Sequence, residues 1–385
     1  MILTKLGTIL EMKKGKKPLH QLTEYTEGYL PYVDIKAFET GNINSYADGE
    51  RCLSCEDGDI LLVCDGSRSG LVGKAIKGYV GSTLAKISAK GVINDYLFYF
   101  LQGKYTALNT RKKGTGTPHV NPDVLMNAEL FVPSVAEQQR IVAKIEELFS
   151  NLDASVAELK TAKEKLKIYR QAVITTAFPT LCEKNHVCLS EIAEITGGIT
   201  KGRNLDGSDV IELPYLRVAN VQNGYLDLEQ VKMIELRDSE KNKYLLKYGD
   251  VLYTEGGDRD KLGRGTVWRE EIADCVHQNH IFRARLNSEK AVSEYIAFWS
   301  MSKPARNYFY NKGKQSVNLA SINKSVLSAL PIPLPSLEQQ KNIVTLIEEK
   351  ISIADNIETT IDTALQQAEA LRQSILKQAF EGKLI

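Results

Sequence analysis

Two glycine-rich loops carry side chains suited to contacting a polyanion. One loop places Ser67 and Arg68 between two glycines, and a later loop places Arg259 and Lys261 after a pair of glycines. Glycine lets a backbone approach phosphate closely, and arginine is the commonest bidentate partner of guanine. These four residues are therefore predicted to contact DNA. The alternative is that both loops are ordinary turns between strands, with cations that are only solvated.

Further cations lie in short stretches rich in lysine. A phosphate contact needs a positive charge on a flexible stem, so these stretches are candidates to hold a nucleic-acid backbone. The alternatives are a solvated loop or a solubilising edge, and a single histidine is more often structural than functional. The DNA contacts predicted in these stretches are Lys13, Lys16, Arg111, Lys112, Lys113, His119, Lys312, Lys314 and Gln315.

Residues suited to catalysis do not converge in the sequence. Cys52 and Cys55 form one C-x-x-C pair, whereas a tetrahedral zinc site usually takes two such pairs. We interpret the six cysteines as reduced thiols that pack as small apolar side chains, with a zinc or redox pair as the alternative. The Asn-Pro-Pro-aromatic loop of adenine methyltransferases has no match, and no convincing cofactor loop follows a strand. The chain is expected to carry no catalytic residue, no metal and no cofactor.

Length and charge are those of a globular protein with several domains. The chain has 385 residues, which predicts two or three domains. Lys+Arg number 49 and Asp+Glu 48, so the net charge of +1 excludes a grossly basic chromatin-type protein but leaves room for a local basic surface. No stretch approaches the roughly 18 apolar residues that cross a membrane, and the N-terminus lacks a signal-peptide core. A cytoplasmic protein is expected.

The chain contains an internal repeat with a constant spacing. Residues 133–178 and 335–380 align without a gap at an offset of 202, with 16 identities in 46 positions. Prolines lie only at the edges, so each copy is predicted to be one long helix. A seven-residue apolar repeat in both copies indicates that the helices pack as a coiled coil. One heptad set is Ile145, Leu152, Leu159, Leu166 and Val173 with Ile347, Ala354, Ile361, Ala368 and Ile375; the other is Ile141, Leu148, Ser155, Ala162, Tyr169 and Thr176 with Ile343, Lys350, Ile357, Ala364 and Leu371.

The segments that precede the two helices are related more loosely. Both contain a Leu-Pro-Tyr block, at Leu30 and Leu213, and a Gly-Asp block followed by an apolar run, at Gly58 and Gly249. Short β-branched and aromatic runs between turn residues predict strands, and an aromatic run over 95–101 predicts a short helix. The predicted fold is α+β, with two duplicated α+β domains separated and followed by long helices that form an antiparallel coiled coil. The predicted boundaries are 1–132 and 181–334 for the domains, and 133–180 and 335–385 for the helices.

The Pro-Ser-x-x-Glu-Gln-Gln-x-Ile-Val helix start at Pro133, its repetition and the order of the blocks resemble the specificity subunit of type I restriction-modification enzymes. The resemblance covers essentially the whole chain, with Gln339 at the position of Glu137. It implies two target recognition domains that each read half of an asymmetric, split DNA sequence. It also implies helices that set the gap and dock the methyltransferase subunits.

The same resemblance implies a non-catalytic subunit within a larger complex. The partners that it implies are double-stranded DNA, two methyltransferase subunits and the restriction–motor subunits. S-adenosylmethionine, ATP and magnesium are expected on those partner subunits. The remaining alternative is a coiled-coil scaffold that binds proteins without reading DNA, and such a scaffold would show no salt-dependent DNA affinity.

Residues that recur at both ends of the two helices are predicted to dock the partner subunits. A coiled coil does not require an Arg-Gln pair at one place in each copy, whereas a surface shared by two identical partners would explain it. The alternative is duplication under structural constraint. The predicted docking residues are Gln138, Arg170, Gln171, Phe178, Gln340, Arg372, Gln373 and Phe380.

Overall fold

The computed structural model describes residues 3–110, 118–178, 186–205, 209–315 and 320–384. The chain forms two compact units. The first unit comprises Met1–Lys160 and Asp362–Ile385, and the second unit comprises Thr161–Ile361. Each unit therefore contains one α+β globule, the start of one long helix and the end of the other.

The first globule, residues 3–132, is built on a four-stranded sheet and a five-stranded sheet. Its elements are β1 (Leu3–Lys5), β2 (Leu10–Lys14), β3 (Gln21–Leu22), β4 (Leu30–Val33), α1 (Ile35–Thr40), β5 (Tyr46–Ala47), β6 (Ser54–Cys55), β7 (Ile60–Val63), β8 (Val72–Lys74), β9 (Gly78–Val80), β10 (Leu84–Ala89), α2 (Asn94–Thr110), α3 (Pro122–Met126) and β11 (Glu129–Phe131). The four-stranded sheet has the order β2-β10-β7-β8, the five-stranded sheet has the order β3-β5-β4-β9-β6, and β1 pairs with β11.

The central strand β7 is buried on both faces. Successive side chains of a strand point to opposite sides of the sheet. Ile60 and Leu62 therefore enter the core that contains α2 and the ends of the long helices, whereas Leu61 and Val63 enter a second core with α1. The strand thus fixes the loop that follows it against two packed layers.

The second globule, residues 186–334, repeats this arrangement. Its four-stranded sheet has the order β13-β20-β16-β18, with β16 as the central buried strand, and a three-stranded sheet has the order β15-β14-β19. Its elements are β12 (His186–Cys188), α5 (Leu189–Ile192), β13 (Ala193–Gly197), β14 (Val210–Leu216), β15 (Lys232–Arg237), α6 (Lys241–Tyr244), β16 (Val251–Thr254), β17 (Gly256–Gly257), β18 (Gly265–Val267), β19 (Val276–His277), β20 (Ile281–Leu286), α7 (Ser293–Met301), α8 (Lys303–Lys312), β21 (Lys314–Gln315), β22 (Ala320–Ser321), α9 (Lys324–Ser328) and β23 (Pro331–Pro333).

The repeated Gly-Asp block forms the turn before each central strand. Its glycine adopts a left-handed φ, +83° in the first globule and +84° in the second, which favours glycine. The carboxylate of Asp59 lies 2.5 Å from Lys86 on the neighbouring strand, and that of Asp250 lies 2.7 Å from Arg285. The block therefore ties the turn to the sheet, which explains its repetition without any contact to a ligand.

The aromatic helix is longer than the sequence predicts and differs between the globules. In the first globule α2 is continuous, whereas the second globule has the separate helices α7 and α8. Pro304 lies in the first turn of α8, where it has no N–H to donate to the preceding turn. Lys312 is the last residue of α8 and Lys314 begins β21, so the basic stretch predicted as a loop is part helix and part strand.

The two repeated segments form the long helices α4 (Val135–Ala177) and α10 (Leu337–Phe380). At the start of α4 the Ser134 N–H donates to the Glu137 carboxylate at 3.2 Å. At the start of α10 the Ser336 N–H donates to the Gln339 side chain at the same distance. Gln339 therefore preserves the capping interaction although it replaces the glutamate of the first helix start. No helix in the described ranges is both long and apolar enough to span a membrane.

The helices pack antiparallel within each unit, as predicted. In the first unit the start of α4 shares a core with the end of α10 that includes Ile145 and Ile375. In the second unit the end of α4 shares a core with the start of α10 that includes Val173 and Ile347. The repeat therefore supplies reciprocal contacts, because equivalent residues of the two helices meet in both units.

The first heptad set is more deeply buried than the second. In α10 the first set is at most 9% exposed at every position, from Ile347 to Ile375. In the second set, however, Tyr169, Ile357 and Leu371 are 41%, 46% and 50% exposed. The packed seam is narrower than the sequence predicts, because one antiparallel neighbour covers only one side of each helix.

Candidate nucleic-acid interface

The glycine-rich loop of the first globule follows the central strand β7 and rests on helix α2. Gly70 has a φ of +96°, and a Cβ there would lie 2.6 Å from a side chain of α2. The side-chain amide of Asn109 donates to the backbone oxygens of Ser67 and Ser69 at 3.1 and 3.2 Å. Helix α2 thus holds the loop backbone and leaves the side chains of Ser67 and Arg68 exposed.

The predicted cations of the first globule differ in whether they form an ion pair within the protein. The Arg68 guanidinium pairs with Glu39, so it would exchange this partner on binding an anion. Lys13 on strand β2 and Lys16 just after it are exposed, with no ion pair to any described residue. The other predicted cations of this globule, Arg111, Lys112 and Lys113, lie outside the described residues.

Beside the loop, Asp65 gathers two of the nearby basic side chains. Its Oδ1 lies 2.6 Å from His119 Nδ1, and its Oδ2 lies 2.7 Å from Lys14 Nζ. Burial raises the pKa of Asp65, but the hydrogen bonds with Lys14 and His119 outweigh it and hold that pKa below its usual value. An ionised carboxylate only accepts hydrogen bonds, so His119 presents Nδ1–H to it.

In the second globule the glycine loop joins the basic stretch in one small sheet. Gly256 pairs with Ser321, and Lys314 pairs with the same serine from the other side. A groove of about 520 Å³ opens at this sheet. Its lining residues are Val218, Glu255, Gly256, Gly257, His280, Ala320 and Ser321.

The predicted cations of the second globule surround this sheet. The guanidinium of Arg259 stacks on the ring of Tyr310, with 4.4 Å to the ring centroid. Lys261 pairs with Asp258 one turn earlier. Lys312 and Lys314 are exposed, and of Gln315 only the backbone in β21 is described. Stacking restricts the guanidinium of Arg259 and so orients its donors before any ligand arrives.

The second globule also contains an acid–imidazole pair that the sequence does not reveal. His280 Nδ1 lies 2.5 Å from Glu255 Oε2, at the edge of the groove, and the imidazole is 54% exposed. The two residues are 25 positions apart and share no motif, so only the fold brings them together. The available signal is that an acid directly follows a buried central strand, as Asp65 nearly does in the first globule.

Gln138 and Gln340 do not form part of a docking surface, because both are completely buried. The side chain of Gln138 accepts from the Ile93 N–H at 2.9 Å and donates to the Gly91 oxygen at 2.8 Å. Gln340 accepts from the Val292 N–H at 2.9 Å in the same way. These amides join each globule to its helix. The signal was present in the sequence, since Gln138 lies seven residues before Ile145 on the buried heptad set.

Phe178 and Phe380 also have structural roles at the ends of the long helices. Phe178 is 7% exposed, and Phe380 is half-buried. Each packs edge-on against two aromatic rings of the globule in its own unit, at centroid distances of 5.0 to 5.3 Å. The rings are Tyr295 and Trp299 for Phe178, and Tyr96 and Phe100 for Phe380. Little of Phe178 is left for a partner subunit.

The repeated arginines connect the two helices within each unit. Arg170 lies 2.6 Å from Asp355 and 2.7 Å from Glu358, and Arg372 pairs with Asp153. Asp153 and Asp355 are themselves equivalent in the repeat, so the two ion pairs are reciprocal. This cross-helix pairing explains why the arginine is repeated without a role in docking.

The glutamines that follow these arginines keep exposed side chains. Gln171 donates to the backbone oxygen of Met301 at 3.0 Å. Gln373 lines an open groove in the first unit. A docking role for these two residues stays a prediction.

The thiols of the first globule are poor candidates for metal ligands. Burial raises the pKa of Cys55 and of Cys64 to about 11, whereas zinc binds the thiolate. The group in the described residues whose ligand atoms lie within 4.8 Å of one another is His20, Asp48 and Glu50, and it contains no cysteine. The apolar interpretation of the C-x-x-C pair is therefore favoured for Cys55.

Comparison with known proteins identifies the family. Residues 3–166 and 183–367 match the family model described as type I restriction modification DNA specificity domain. The specificity subunit of the type I restriction enzyme StySPI from Salmonella potsdam is 27% identical over 310 residues, which cover 77% of this chain and 66% of that protein. The MjaVIII specificity subunit from Methanocaldococcus jannaschii is 26% identical over 412 residues, covering 99% of this chain and 92% of that protein.

The fold is also that of a chain in a solved structure. A chain in a solved structure of the type I R-M system has a TM-score of 0.74 at 20% identity, covering 99% of this chain and 98% of that one. At this level of identity the likeness concerns the fold, whereas the two segments matched by the family model span most of the sequence. The chain belongs to the type I restriction-modification DNA specificity family, as a DNA-recognition subunit.

Proposed function

We propose that each globule reads one half of an asymmetric, split sequence in double-stranded DNA. One observation carries this proposal: the same scaffold occurs twice, and the loops after its two central strands hold different polar side chains. Two copies of one scaffold can meet two DNA segments in an equivalent way. Different loop residues then make the two half-sites different, because base edges are distinguished by the donors and acceptors that meet them.

The exposed lysines beside these loops support a division of labour on the DNA. Lys13 and Lys16 lie on either side of Lys14, which pairs with Asp65 beside the first loop, and Lys312 and Lys314 lead into the small sheet that contains the second loop. Lysine is a flexible point charge that suits phosphate, whereas sequence is read at the base edges. In this proposal the lysines position each globule on the backbone and the loop side chains supply specificity.

The long helices are proposed to dock the methyltransferase subunits. On α10, Leu346, Ile353 and Ile357 are 44%, 56% and 46% exposed. Their spacing of seven and four residues places them on one face of the helix. This face replaces the buried glutamines as the best candidate for the docking surface, because its apolar side chains are available to a partner.

The chemistry is assigned to the partners in this proposal. Two methyltransferase subunits would carry S-adenosylmethionine, and restriction–motor subunits would carry ATP and magnesium. The chain itself would contribute sequence recognition and the placement of those subunits on DNA. The expected location is the cytoplasm, where DNA and these partners meet.

A domain exchange tests the proposal of two independent readers. Residues 1–132 are replaced by the corresponding domain of another family member, and the methylated motif is determined by sequencing the genome of a host that also expresses the methyltransferase. We expect one half of a split motif to change while the other half is retained. Exchange of residues 181–334 is the reciprocal control. A motif that both exchanges leave unchanged would mean that the partner reads the DNA and this chain is a scaffold.

A matched pair of helix variants tests the docking face. The test variant replaces Leu346, Ile353 and Ile357 by glutamine, which keeps helix propensity while removing apolar surface. The control variant replaces Thr345, Ser352 and Asn356 by glutamine, with the same spacing on an adjacent exposed face. Loss of co-purification with the methyltransferase in the test variant alone is expected. Equal retention in both variants would contradict the assignment of this face.

A further inference from the structure

Both globules place an acid–imidazole pair beside the loop that follows the central strand. In the first globule His119 Nδ1 lies 2.6 Å from Asp65, and in the second His280 Nδ1 lies 2.5 Å from Glu255. Each imidazole is 54% exposed, while its carboxylate partner is more buried, at 18% and 30% exposure. In each pair the carboxylate is held by the scaffold and the ring faces a more open environment.

The two pairs do not occupy equivalent positions of the repeat. The Glu255 N–H donates to the backbone oxygen of His280, whereas at the equivalent place the Cys64 N–H donates to the backbone oxygen of Thr83. Glu255 is therefore equivalent to Cys64, and His280 to Thr83. The second pair cannot be a copy of the first that was kept passively through duplication.

The position of His119 leads to the same conclusion. The backbone of His119 pairs with that of Asp65, and the backbone of Ser321 pairs in the same way with that of Gly256, which is the equivalent of Asp65 in the second globule. His119 is therefore equivalent to Ser321, and not to His280. The imidazole thus comes from a different strand in each globule. The same chemical pair has been built twice from different residues at one end of the central strand, which points to a function at that place.

The carboxylate argues for contact with a base and against contact with a phosphate. In the second globule the carboxylate 2.5 Å from the ring would repel a phosphate, because nearby like charges interact unfavourably, whereas in the first globule Lys14 shares Asp65 and offsets part of that repulsion. A base edge is uncharged, and the carboxylate offsets the charge of a protonated ring. With Nδ1–H directed at the carboxylate, Nε2 is the ring atom left for DNA, and no described residue hydrogen-bonds to it in either pair.

We infer that His119 and His280 are base-reading residues, each donating from Nε2 to N7 of a purine in the major groove. Asp65 and Glu255 are positioning residues that fix the orientation of the rings and balance the charge of the imidazolium, the form in which Nε2 as well as Nδ1 carries a proton. In the second globule the glycine pair of β17 lines the same groove as His280, so these two residues have no side chain to block approach to the ring. This inference rests on the proposed function and adds which residues read bases in each half-site.

A chemical change in the DNA, combined with a change in the protein, tests the inference. The full chain in complex with its methyltransferase is bound to duplexes in which each purine of the target is replaced in turn by its 7-deaza analogue, which lacks N7. We expect one position in each half-site to weaken binding about tenfold, as loss of one specific base contact would. His280→Ala should weaken the unmodified duplex by a similar factor and abolish the effect at one position only.

His119→Ala should abolish the effect at the position in the other half-site, so each variant is the control for the other. His20→Ala, which removes an exposed imidazole beside Asp48 in the first globule, should change neither. Because His280 is exposed, its replacement should not impair folding, and His280→Gln should keep part of the affinity by keeping a donor.

Three results would overturn the inference. The first is that both alanine variants keep the full effect of the 7-deaza substitutions, and the second is that neither variant binds the target more weakly than wild type. The third is an equal loss of affinity for target and unrelated DNA together with a shallower salt dependence, which marks a phosphate contact. The unmodified proteins separate this failure from failure of the proposed function. Wild-type complex that binds target and scrambled duplexes equally would reject DNA reading by this chain altogether.

Discussion

In the first globule the loop after the central strand gathers Asp65, His119 and Lys14, whereas in the second globule the corresponding loop pairs Glu255 with His280. The turn before the strand, in contrast, is built the same way in both, with a left-handed glycine and an aspartate paired to the neighbouring strand. The chain preserves residues where they build the scaffold. It differs where side chains face open surface, which is what two readers of unlike half-sites require.

The comparison extends to the joints between globule and helix. The buried glutamine, the terminal phenylalanine and the cross-helix arginine recur in both units at the offset of 202. The contacts of these residues are of the same kind in both units but differ in strength, because the surrounding residues have diverged. The two units should therefore respond alike in direction and differently in size when a repeated residue is removed.

The terminal phenylalanines should give the largest effect and the clearest difference between units. Phe178→Ala is expected to destabilise the second unit by about 3 kcal/mol, because a buried ring between Tyr295 and Trp299 is replaced by a cavity. Phe380→Ala should cost the first unit about 2 kcal/mol, since Phe380 is only half-buried. Urea unfolding, followed by hydrogen exchange in each unit, measures both losses. A negligible loss of stability in both variants would instead favour the predicted docking role of these two residues.

Acid should destabilise the second unit through a residue that the first unit lacks. Burial, together with nearby Arg283, lowers the pKa of His277 from 6.5 to about 4, although the hydrogen bond to the Ile281 oxygen and the charge of Asp250 oppose the shift. The equivalent residue in the first globule is Val80, since Leu216 pairs beside His277 as Val33 pairs beside Val80. The neutral ring is favoured in the folded state, so the unfolded chain binds the proton first as pH falls below 6.5.

The stability of the second unit should therefore decline between pH 6.5 and 4, by about 3 kcal/mol in total from this group. His277→Val, which installs the residue of the first globule, should flatten that decline whatever its effect at neutral pH. His280→Ala, at an exposed imidazole, should leave the decline in place. Unfolding curves at several pH values measure the slope, and an unchanged slope in His277→Val would exclude this histidine as its cause.

The buried glutamine at the helix start should show the next largest effect. Gln138→Ala leaves the N–H of Ile93 without its acceptor in a buried joint, and is expected to cost about 2 kcal/mol. Gln139→Ala is the matched control, because the neighbouring side chain is exposed and should change stability by less than about 0.5 kcal/mol. Thermal unfolding distinguishes the two. Wild-type stability with loss of methyltransferase binding in Gln138→Ala would instead support docking.

The long helices, their coiled-coil seam and the duplicated α+β layout follow from local pattern and internal repetition, which is why the sequence predicts them. Heptad spacing alone places Ile145 and Ile347 on the seam, and the same spacing places Gln138 on it. The acid–imidazole pairs do not follow, because Asp65 and His119 are 54 residues apart and meet only through the sheet. The sequence likewise does not reveal which residues of the second heptad set are exposed, because periodicity identifies the residues on one face of a helix but not what covers that face.

The cross-helix arginines should give the smallest effect and separate the units by their response to salt. Arg170 faces two carboxylates, Asp355 and Glu358, whereas Arg372 faces Asp153 and stacks on Phe149 at 4.3 Å. Because these side chains are partly exposed, each arginine-to-alanine change should cost about 1 kcal/mol or less. The loss for Arg170→Ala should shrink as salt rises, because salt screens ion pairs, while more of the Arg372→Ala loss should persist through ring contact.

Unfolding at low and high ionic strength measures this difference, and a double-mutant cycle of Arg372 with Asp153 isolates the ion pair from the stacking. A coupling energy of about 0.5 kcal/mol is expected for that pair. Identical salt responses of the two arginine variants would mean that the ring beside Arg372 contributes nothing. Each unit would then be stabilised by an equivalent ion pair between its helices. The sequence divergence between the two globules would not extend to the energetics of the helix contacts.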